Sequence, residues 1–161
     1  AIGIPLIQKP TTGDGYEKEF TQALREVVQS QGIEAMVFGD IFPHMREFAD
    51  RVCANVGIEA LEPLCGKNSE EIFLDFINAG FKTVVIATQG NLLGDEWIGR
   101  VLDKSFFDDI KKMPGIDVCG ENGEYHTFVI DGPLFKRPLQ LIKSEKVLRN
   151  GYWFLDIQEA V

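Results

Sequence analysis

The chain has 161 residues, of which 45% are hydrophobic and 25% are charged, a composition typical of one globular domain with or without a small appendage. Acidic residues outnumber basic ones by 25 to 16, and the resulting charge of −9 argues against a protein that mainly binds nucleic acid. No apolar run approaches the ~20 residues of a membrane-spanning helix, and no signal peptide pattern is present.

Three widely spaced cysteines, Cys53, Cys65 and Cys119, include no Cys-x-x-Cys pair. This spacing argues against a disulfide framework or a zinc site. It is typical of a protein in the reducing cytoplasm.

The first half of the sequence alternates short apolar runs with amphipathic helices. Strands are predicted at 4–9, 35–38, 59–64 and 83–88, and helices at 16–31, 44–56 and 69–79. The first run contains a proline, which favours an early or edge strand. The run at 35–38 does not alternate with polar residues, which is typical of a strand covered on both faces in a parallel sheet. The run at 83–88 predicts the clearest buried strand of the chain. Ser69 is predicted to cap the third helix.

The second half of the sequence changes character. A loop is predicted at 89–94, short helices at 97–102 and 105–112, and a strand at 125–130. Asn150-Gly151 stands between two apolar runs and predicts a two-residue hairpin, because both turn positions require positive φ.

These elements predict an α/β fold in two parts. Residues 1–90 are expected to form part of a parallel sheet with helices on its faces. Residues 91–161 are expected to form a smaller α+β part with antiparallel strands. The apolar run at 152–155 could pack on the core or on a second copy of the chain, so a homodimer is one of two alternatives.

The densest group of polar residues lies at 119–127. Two glycines in it allow tight backbone turns, which could aim Glu121 and Glu124 into one pocket. Such carboxylates could bind an ammonium-like cation, act as a base or hold Mg²⁺. The alternative is an ordinary polar turn in which Asn122-Gly123 starts a hairpin and the acidic side chains face water, and composition alone favours this alternative.

Two further groups are candidates for binding. Gly39 and Asp40 follow a predicted parallel strand, where open α/β sheets bind ligands, although Asp40 could equally cap a helix. Trp97 and Arg100 could recognise a substrate by stacking and charge pairing, or Trp97 could lie in the core. The glycine-rich dinucleotide fingerprint, the P-loop and the Gly-x-Ser-x-Gly elbow do not occur.

Several motifs of this sequence occur together, in the same order, in one known family. They are Phe38-Gly39-Asp40-Ile41 with Arg46, Pro63-Leu64, Ala79-Gly80-Phe81, residues 93–100, the run Cys119-Gly120-Glu121-Asn122-Gly123-Glu124-Tyr125-His126-Thr127-Phe128-Val129, and Asp131-Gly132-Pro133-Leu134-Phe135. The whole pattern resembles the diphthine–ammonia ligases, which are ATP-dependent diphthamide synthases also described as N-type ATP pyrophosphatases. Cys65 stands where the family usually has tryptophan.

The resemblance implies a Rossmann-like fold of the adenine nucleotide alpha hydrolase type within the PP-loop superfamily. It also implies a ligase reaction in two steps. ATP adenylates the carboxylate of diphthine on elongation factor 2 with release of pyrophosphate, and ammonia then displaces AMP to give diphthamide. ATP, Mg²⁺ and ammonium are the implied ligands, elongation factor 2 is the implied protein partner, and the cytoplasm is the implied location, with no membrane or nucleic acid involved.

Residue roles follow as hypotheses within this resemblance. Residues 1–90 would be the remainder of the nucleotide-binding domain, and residues 91–161 the substrate domain. The amidation step is assigned to Glu121, Glu124, Asn122 and His126. Nucleotide binding is assigned to Gly39 and Asp40, and substrate binding to Gly120, Gly123, Tyr125, Thr127, Trp97 and Arg100. No residue is assigned as a metal ligand.

One family element has no counterpart in the sequence. The family begins with a strand, a Ser-Gly-Gly-Lys-Asp-Ser loop that binds the pyrophosphate of ATP, and a helix. Because this chain opens on an apolar run at Ala1, a fragment of a longer polypeptide is favoured over a degenerate member, and the chain alone is expected not to cleave ATP. The alternatives are a relative that amidates another carboxylate and a non-catalytic nucleotide-binding domain.

Overall fold

The computed structural model describes all 161 residues, and the chain divides into two compact units. One unit is Pro5–Lys67, and the other comprises Ala1–Ile4 and Asn68–Val161. The units therefore divide at residues 67 and 68. No helix in the chain combines the length and the apolar character that a bilayer crossing requires.

The unit Pro5–Lys67 contains two helices and a pair of parallel strands. Its elements are α1 (Tyr16–Gln31), β1 (Ala35–Val37), a 3₁₀ turn (Pro43–Met45), α2 (Arg46–Ala54) and β2 (Glu59–Leu61). The two strands pair in parallel, with Met36 opposite Ala60. The core contains Leu24 from α1, Phe38 after β1, and three residues of α2, which are Ala49, Val52 and Cys53.

The first predicted helix is confirmed at both ends. The period of its apolar residues is that of an α-helix, and Gly32 ends it in the left-handed conformation with φ 64°. The Gly32 N–H donates to the carbonyl of Val28. The strand predicted at 4–9 is wrong: this segment has no regular structure, no strand pairs with its main chain, and Ile4 and Leu6 are exposed.

The unit that contains Asn68–Val161 is built on a four-stranded antiparallel sheet. Its elements are α3 (Ser69–Asn78), β3 (Lys82–Gln89), α4 (Lys104–Ile110), β4 (Tyr125–Asp131), β5 (Leu141–Arg149) and β6 (Tyr152–Ala160). The strand order is β4-β3-β6-β5, and every neighbouring pair is antiparallel. The fold class is therefore α/β with a parallel part and an antiparallel part, as predicted.

The strand predicted at 83–88 exists as β3, but its parallel pairing is wrong. It pairs antiparallel with β4 on one side and with β6 on the other. Residues 97–102 do not form the predicted helix. They run beside the first half of β3, where the N–H of Val85 donates to Arg100 and the N–H of Leu102 donates to Thr83. The strand β3 is buried because it lies inside the sheet. A run of apolar residues indicates burial but does not indicate whether the neighbouring strands are parallel or antiparallel.

An aromatic cluster fills the core of this unit. Phe106 lies within 6 Å of three other rings, those of Phe73, Trp97 and Tyr125. Trp153 and Leu155 of β6 pack against the same cluster. Tyr152 and Phe154, the other two residues of the apolar run at 152–155, are 39% and 36% exposed.

Two helices of this unit begin at side-chain caps. The cap of α3 is Asn68 and not the predicted Ser69, since Asn68 Oδ1 accepts from the N–H groups of Glu70 and Glu71 at 2.9 and 3.2 Å. Asp103 caps α4 by accepting from the N–H of Phe106 at 2.8 Å. Both contacts satisfy N–H groups that have no partner inside the helix.

The hairpin between β5 and β6 supplies a test of the fold. Asn150 and Gly151 have φ values of 51° and 82°, as predicted. Replacing Gly151 by Ala should lower the free energy of unfolding by about 1 kcal/mol, because a Cβ disfavours this conformation. Gly151→Asn should cost less, because asparagine tolerates positive φ. Urea denaturation followed by tryptophan fluorescence measures both, and equal midpoints for Gly151→Ala and the unchanged chain would contradict the expectation.

Candidate functional site

The loop before β4 is built around the carboxylate of Glu124. This side chain is only 2% exposed. It accepts from the main-chain N–H of Asp117 at 2.8 Å, from the main-chain N–H of Asn122 at 2.9 Å and from the Asn122 amide at 3.0 Å. The loop can fold around it because Gly120 and Gly123 adopt positive φ.

The electrostatic state of Glu124 follows from these contacts. Burial raises the pKa of Glu124, but the hydrogen bonds from Asp117 and Asn122 outweigh burial and hold that pKa below its ordinary range. Both carboxylate oxygens are engaged by donors within the loop. The contacts therefore describe an ionised anchor that shapes the loop.

The neighbours of Glu124 also make internal hydrogen bonds. The hydroxyl of Tyr125 donates to the carbonyl of Val118, and burial raises the pKa of this tyrosine. The thiol of Cys119 donates to the carbonyl of Ser69 at 3.2 Å. Burial raises the pKa of Cys119 to about 12, so the group remains a thiol at neutral pH and is a poor nucleophile.

The remaining candidates of this run face outward. Glu121, Asn122, His126 and Thr127 are all exposed, whereas Gly120 is buried with Tyr125 and Glu124. A Cβ at Gly120 would lie 2.8 Å from the carbonyl oxygen of Tyr125, which explains the glycine. The run predicted to hold two carboxylates in one pocket thus has an inner anchor, Glu124, and an exposed carboxylate, Glu121.

Trp97 and Arg100 belong to the packing of the aromatic cluster. Trp97 is 5% exposed and therefore lies in the core, as the alternative interpretation had it. The guanidinium of Arg100 lies 4.7 Å from the centroid of the Trp97 ring and 2.9 Å from a carboxylate oxygen of Asp109. Arg100 therefore covers the ring and pairs with α4, and these contacts account for both side chains without a ligand.

In the unit Pro5–Lys67, polar residues lie where β1 and β2 end. The N–H of Phe38 donates to the carbonyl of Leu61, which joins the two ends directly. Gly39 is exposed, and no atom beyond its two chain neighbours lies within 4 Å of the position of its missing Cβ. Asp40 is half-buried beside it. This places Gly39 and Asp40 at the carboxyl edge of the parallel pair, where α/β proteins bind ligands.

Glu62 lies at the same edge and was not among the predicted site residues. Its side chain is 5% exposed, and its Oε2 lies 3.4 Å from Nε of Arg46. Its Oε1 is buried and has no hydrogen-bond partner. Burying a carboxylate oxygen without a hydrogen-bond donor lowers the stability of the fold, so we expect this atom to accept a hydrogen bond from a bound molecule. Position after a strand could not have selected Glu62, because it lies inside the strand predicted at 59–64, and only the observed end of β2 at Leu61 places it at this edge.

No group of three histidine, cysteine, aspartate or glutamate side chains is arranged to hold a metal ion. Divalent magnesium does not require such a group, since it is commonly held by one or two carboxylates together with substrate phosphates. The carboxylates at the edge of the parallel pair are Asp40 and Glu62.

The anchoring role of Glu124 predicts a pH-dependent stability. Because its pKa in the folded state is lowered, its carboxylate stabilises the fold fully above the ordinary value of 4.5, and the contribution is lost as pH falls through the lowered pKa. Glu124→Gln should therefore lower the free energy of unfolding by about 2 kcal/mol at neutral pH, because its NH₂ group would face an N–H donor.

The difference in the free energy of unfolding between Glu124→Gln and the unchanged chain should become smaller at acidic pH. Denaturation with urea at several pH values measures it, with Glu121→Gln as the exposed control. A difference that is independent of pH, or equal effects of both substitutions, would contradict the role of Glu124 as an ionised anchor.

Comparison with known proteins gives matches along most of the chain. Residues 68–161 match the diphthamide synthase C-terminal domain, and residues 1–60 match the diphthamide synthase N-terminal domain. The C-terminal match begins at Asn68, where the larger part of the second compact unit also begins.

Curated relatives carry the name diphthine–ammonia ligase. The human protein is 28% identical over 90% of this chain, and the Bos taurus protein is 28% identical over 98% of it. A Schizosaccharomyces pombe protein of the same name is 30% identical over 85% of the chain, which corresponds to 23% of that protein. The chain spans 55% of the length of the human relative and 65% of the bovine one. With a C-terminal domain match over more than half of its residues, the chain belongs to the diphthamide synthase family.

Proposed function

We propose that this protein acts in the ATP-dependent amidation of diphthine on elongation factor 2, which yields diphthamide, AMP and pyrophosphate. One observation carries the proposal: both family domains match along the chain, and its relatives are named diphthine–ammonia ligase. Ammonium as the nitrogen donor, elongation factor 2 as the partner and a cytoplasmic location are parts of the same proposal, as is a homodimer. Because the chain spans only part of its relatives, activity is to be measured in the full-length protein.

The proposed nucleotide contacts lie at the carboxyl edge of β1 and β2. Carboxylates there accept hydrogen bonds from ribose hydroxyls or from an exocyclic amino group, and the unpartnered Oε1 of Glu62 fits such a donor. Asp40 is its half-buried neighbour at the same edge, and Gly39 leaves open space beside it. When bound, ATP supplies the adenylyl group that activates the substrate carboxylate, and Mg²⁺ offsets the charge of its phosphates.

The proposed amidation contacts lie on the loop before β4. Glu121 and His126 are exposed to solvent, and we assign to them the binding of ammonium and the acceptance of a proton from it. The side-chain amide and the main-chain N–H of Asn122 both donate to the carboxylate of Glu124. Glu124 is therefore a positioning residue for the loop. Thr127 is exposed and is the proposed substrate contact on β4.

The other proposed substrate residues act through the backbone or the core. Gly120 and Gly123 give the loop its shape, and Tyr125 ties it to Val118. Trp97 and Arg100 support the aromatic cluster behind the sheet. Substitution of these residues is expected to lower the free energy of unfolding, and a change in substrate affinity is expected only as a consequence of that loss.

The nucleotide assignment is tested by affinity for ATP. Glu62→Gln and Asp40→Asn should each weaken ATP binding about tenfold or more, because a hydrogen bond to a charged group contributes about 1.5–3 kcal/mol. Glu59→Gln is the matched control, since Glu59 is exposed at the opposite end of β2. Isothermal titration calorimetry of the full-length protein measures the affinities, and unchanged binding in both test variants would overturn the assignment.

The amidation assignment is tested by product formation. Glu121→Gln should lower the amidation rate about 100-fold or more, because a positioned base typically contributes 10²–10⁴. Glu71→Gln, an exposed glutamate of α3, should leave the rate unchanged. Mass spectrometry of the elongation factor peptide that carries diphthine measures conversion of the carboxylate to the amide.

Two outcomes of that assay separate the parts of the proposal. Full activity of Glu121→Gln would reject the role of this residue and leave the reaction standing. No amide product from the unchanged full-length protein, supplied with ATP, Mg²⁺, ammonium and diphthine-bearing elongation factor 2, would reject the function itself.

A further inference from the structure

The strand β5 forms one outer edge of the antiparallel sheet. It pairs with β6 on one side, without interruption from Ser144 to Arg149. No other main-chain hydrogen bond involves residues 141–149. Alternate residues of β5 therefore present unpaired N–H and C=O groups along its outer side, which is the template for an added strand.

Basic side chains are concentrated on this strand and just before it. Five of the 16 lysines and arginines lie within residues 136–149, and this segment contains one acidic residue, although the whole chain has a charge of −9. The five are Lys136, Arg137, Lys143, Lys146 and Arg149. The edge is therefore a local positive region on an acidic protein, and it attracts acidic partners over short range.

These charges are only partly neutralised within the chain. Arg149 lies 3.6 Å from Asp156, and Lys146 donates to the carbonyl of Asp95. The only acid of the segment, Glu145, accepts from the amide of Gln158. No ion pair involves Lys143, which is exposed near the start of β5.

The strand also exposes apolar side chains. Ile142 is 54% exposed and Leu148 is 56% exposed. Side chains of an added strand alternate between the two faces of the sheet, so these two positions offer apolar contacts beside the basic ones.

We propose that β5 is a docking edge for an extended acidic segment of a partner protein, which pairs with it as a fifth strand. The unpaired main-chain groups of β5 provide the hydrogen bonds, and the basic side chains select an acidic segment. The proposal goes beyond the amidation chemistry, because no step of it involves ATP or ammonium.

The charges also decide against two other occupants. A second copy of the chain pairing through its own β5, centred on Lys146, would bring Lys143 opposite Arg149, and like charges across a strand pair are destabilising. Nucleic acid would meet a protein whose overall charge of −9 repels it.

The test uses a fluorescently labelled peptide with alternating glutamate and valine, titrated with the 161-residue chain and followed by fluorescence anisotropy. Binding should weaken as salt is added, because the charges are exposed. Lys143→Glu combined with Arg149→Glu should weaken binding at least about tenfold. Lys18→Glu combined with Lys67→Glu is the matched control: it changes the net charge equally, both residues are exposed, and both lie in the unit Pro5–Lys67.

A second peptide separates strand pairing from simple charge attraction. It has the same sequence with methylated main-chain nitrogens on alternate residues, which removes the donors that pairing needs. Loss of binding by this peptide supports strand addition. Equal binding of both peptides, equal binding by the two double variants, or tighter binding of a short RNA than of the acidic peptide would overturn the proposal.

Folding of the variants is checked independently. Urea midpoints by circular dichroism, which reports both units, should agree between the unchanged chain and both double variants, since the substituted side chains are exposed. If Lys143→Glu with Arg149→Glu unfolds the sheet, the single substitution Lys143→Glu replaces it, and unchanged peptide binding by that variant would equally reject the docking edge.

Discussion

The carboxylate of Glu124 and the three N–H groups that surround it form the contact on which the loop before β4 depends. Residues 111–124 contain no helix or strand, and their main-chain hydrogen bonds are mostly those of turns, such as the bond from Gly123 to Gly120. A buried charge with both oxygens satisfied adds a constraint that joins Asp117 to Glu124. The main-chain carbonyl of Glu124 accepts from the N–H of Gln89 in β3, which joins the end of the loop to the sheet. Glu121 lies exposed on the loop that this anchor shapes.

The sequence was sufficient to predict those elements that are determined by their own residues and not by pairing with distant segments. The helix at 16–31 has its own apolar period and its own glycine stop, and the hairpin at Asn150-Gly151 has its own turn chemistry. Prediction failed where pairing decides the outcome. The apolar run of β3 suits either strand direction, and only contact with β4 and β6 makes it antiparallel. The run at 4–9 lacks any pairing partner, so its composition produces no strand.

The same division applies to the candidate site. Position after a predicted strand was enough to select Asp40, whereas Glu62 lies inside the strand predicted at 59–64 and comes to the edge only because β2 ends at Leu61. The difference between Glu121 and Glu124 is invisible in the sequence, because glutamate is rarely buried and only tertiary contacts show which of two is. Trp97 was ambiguous for a related reason: an aromatic ring suits a ligand or a core, and the packing around Phe106 places it in the core.

Each of the two units contains a shielded cysteine, which allows the local opening of each unit to be measured separately. Cys53 is buried in the core of Pro5–Lys67, and Cys119 is largely shielded in the unit that contains Asn68–Val161. Burial raises the pKa of both thiols, so each reacts with an alkylating reagent chiefly when its surroundings open. The chain thus carries a natural reporter in each unit, and mass-resolved alkylation rates can compare how often each one opens without any introduced label.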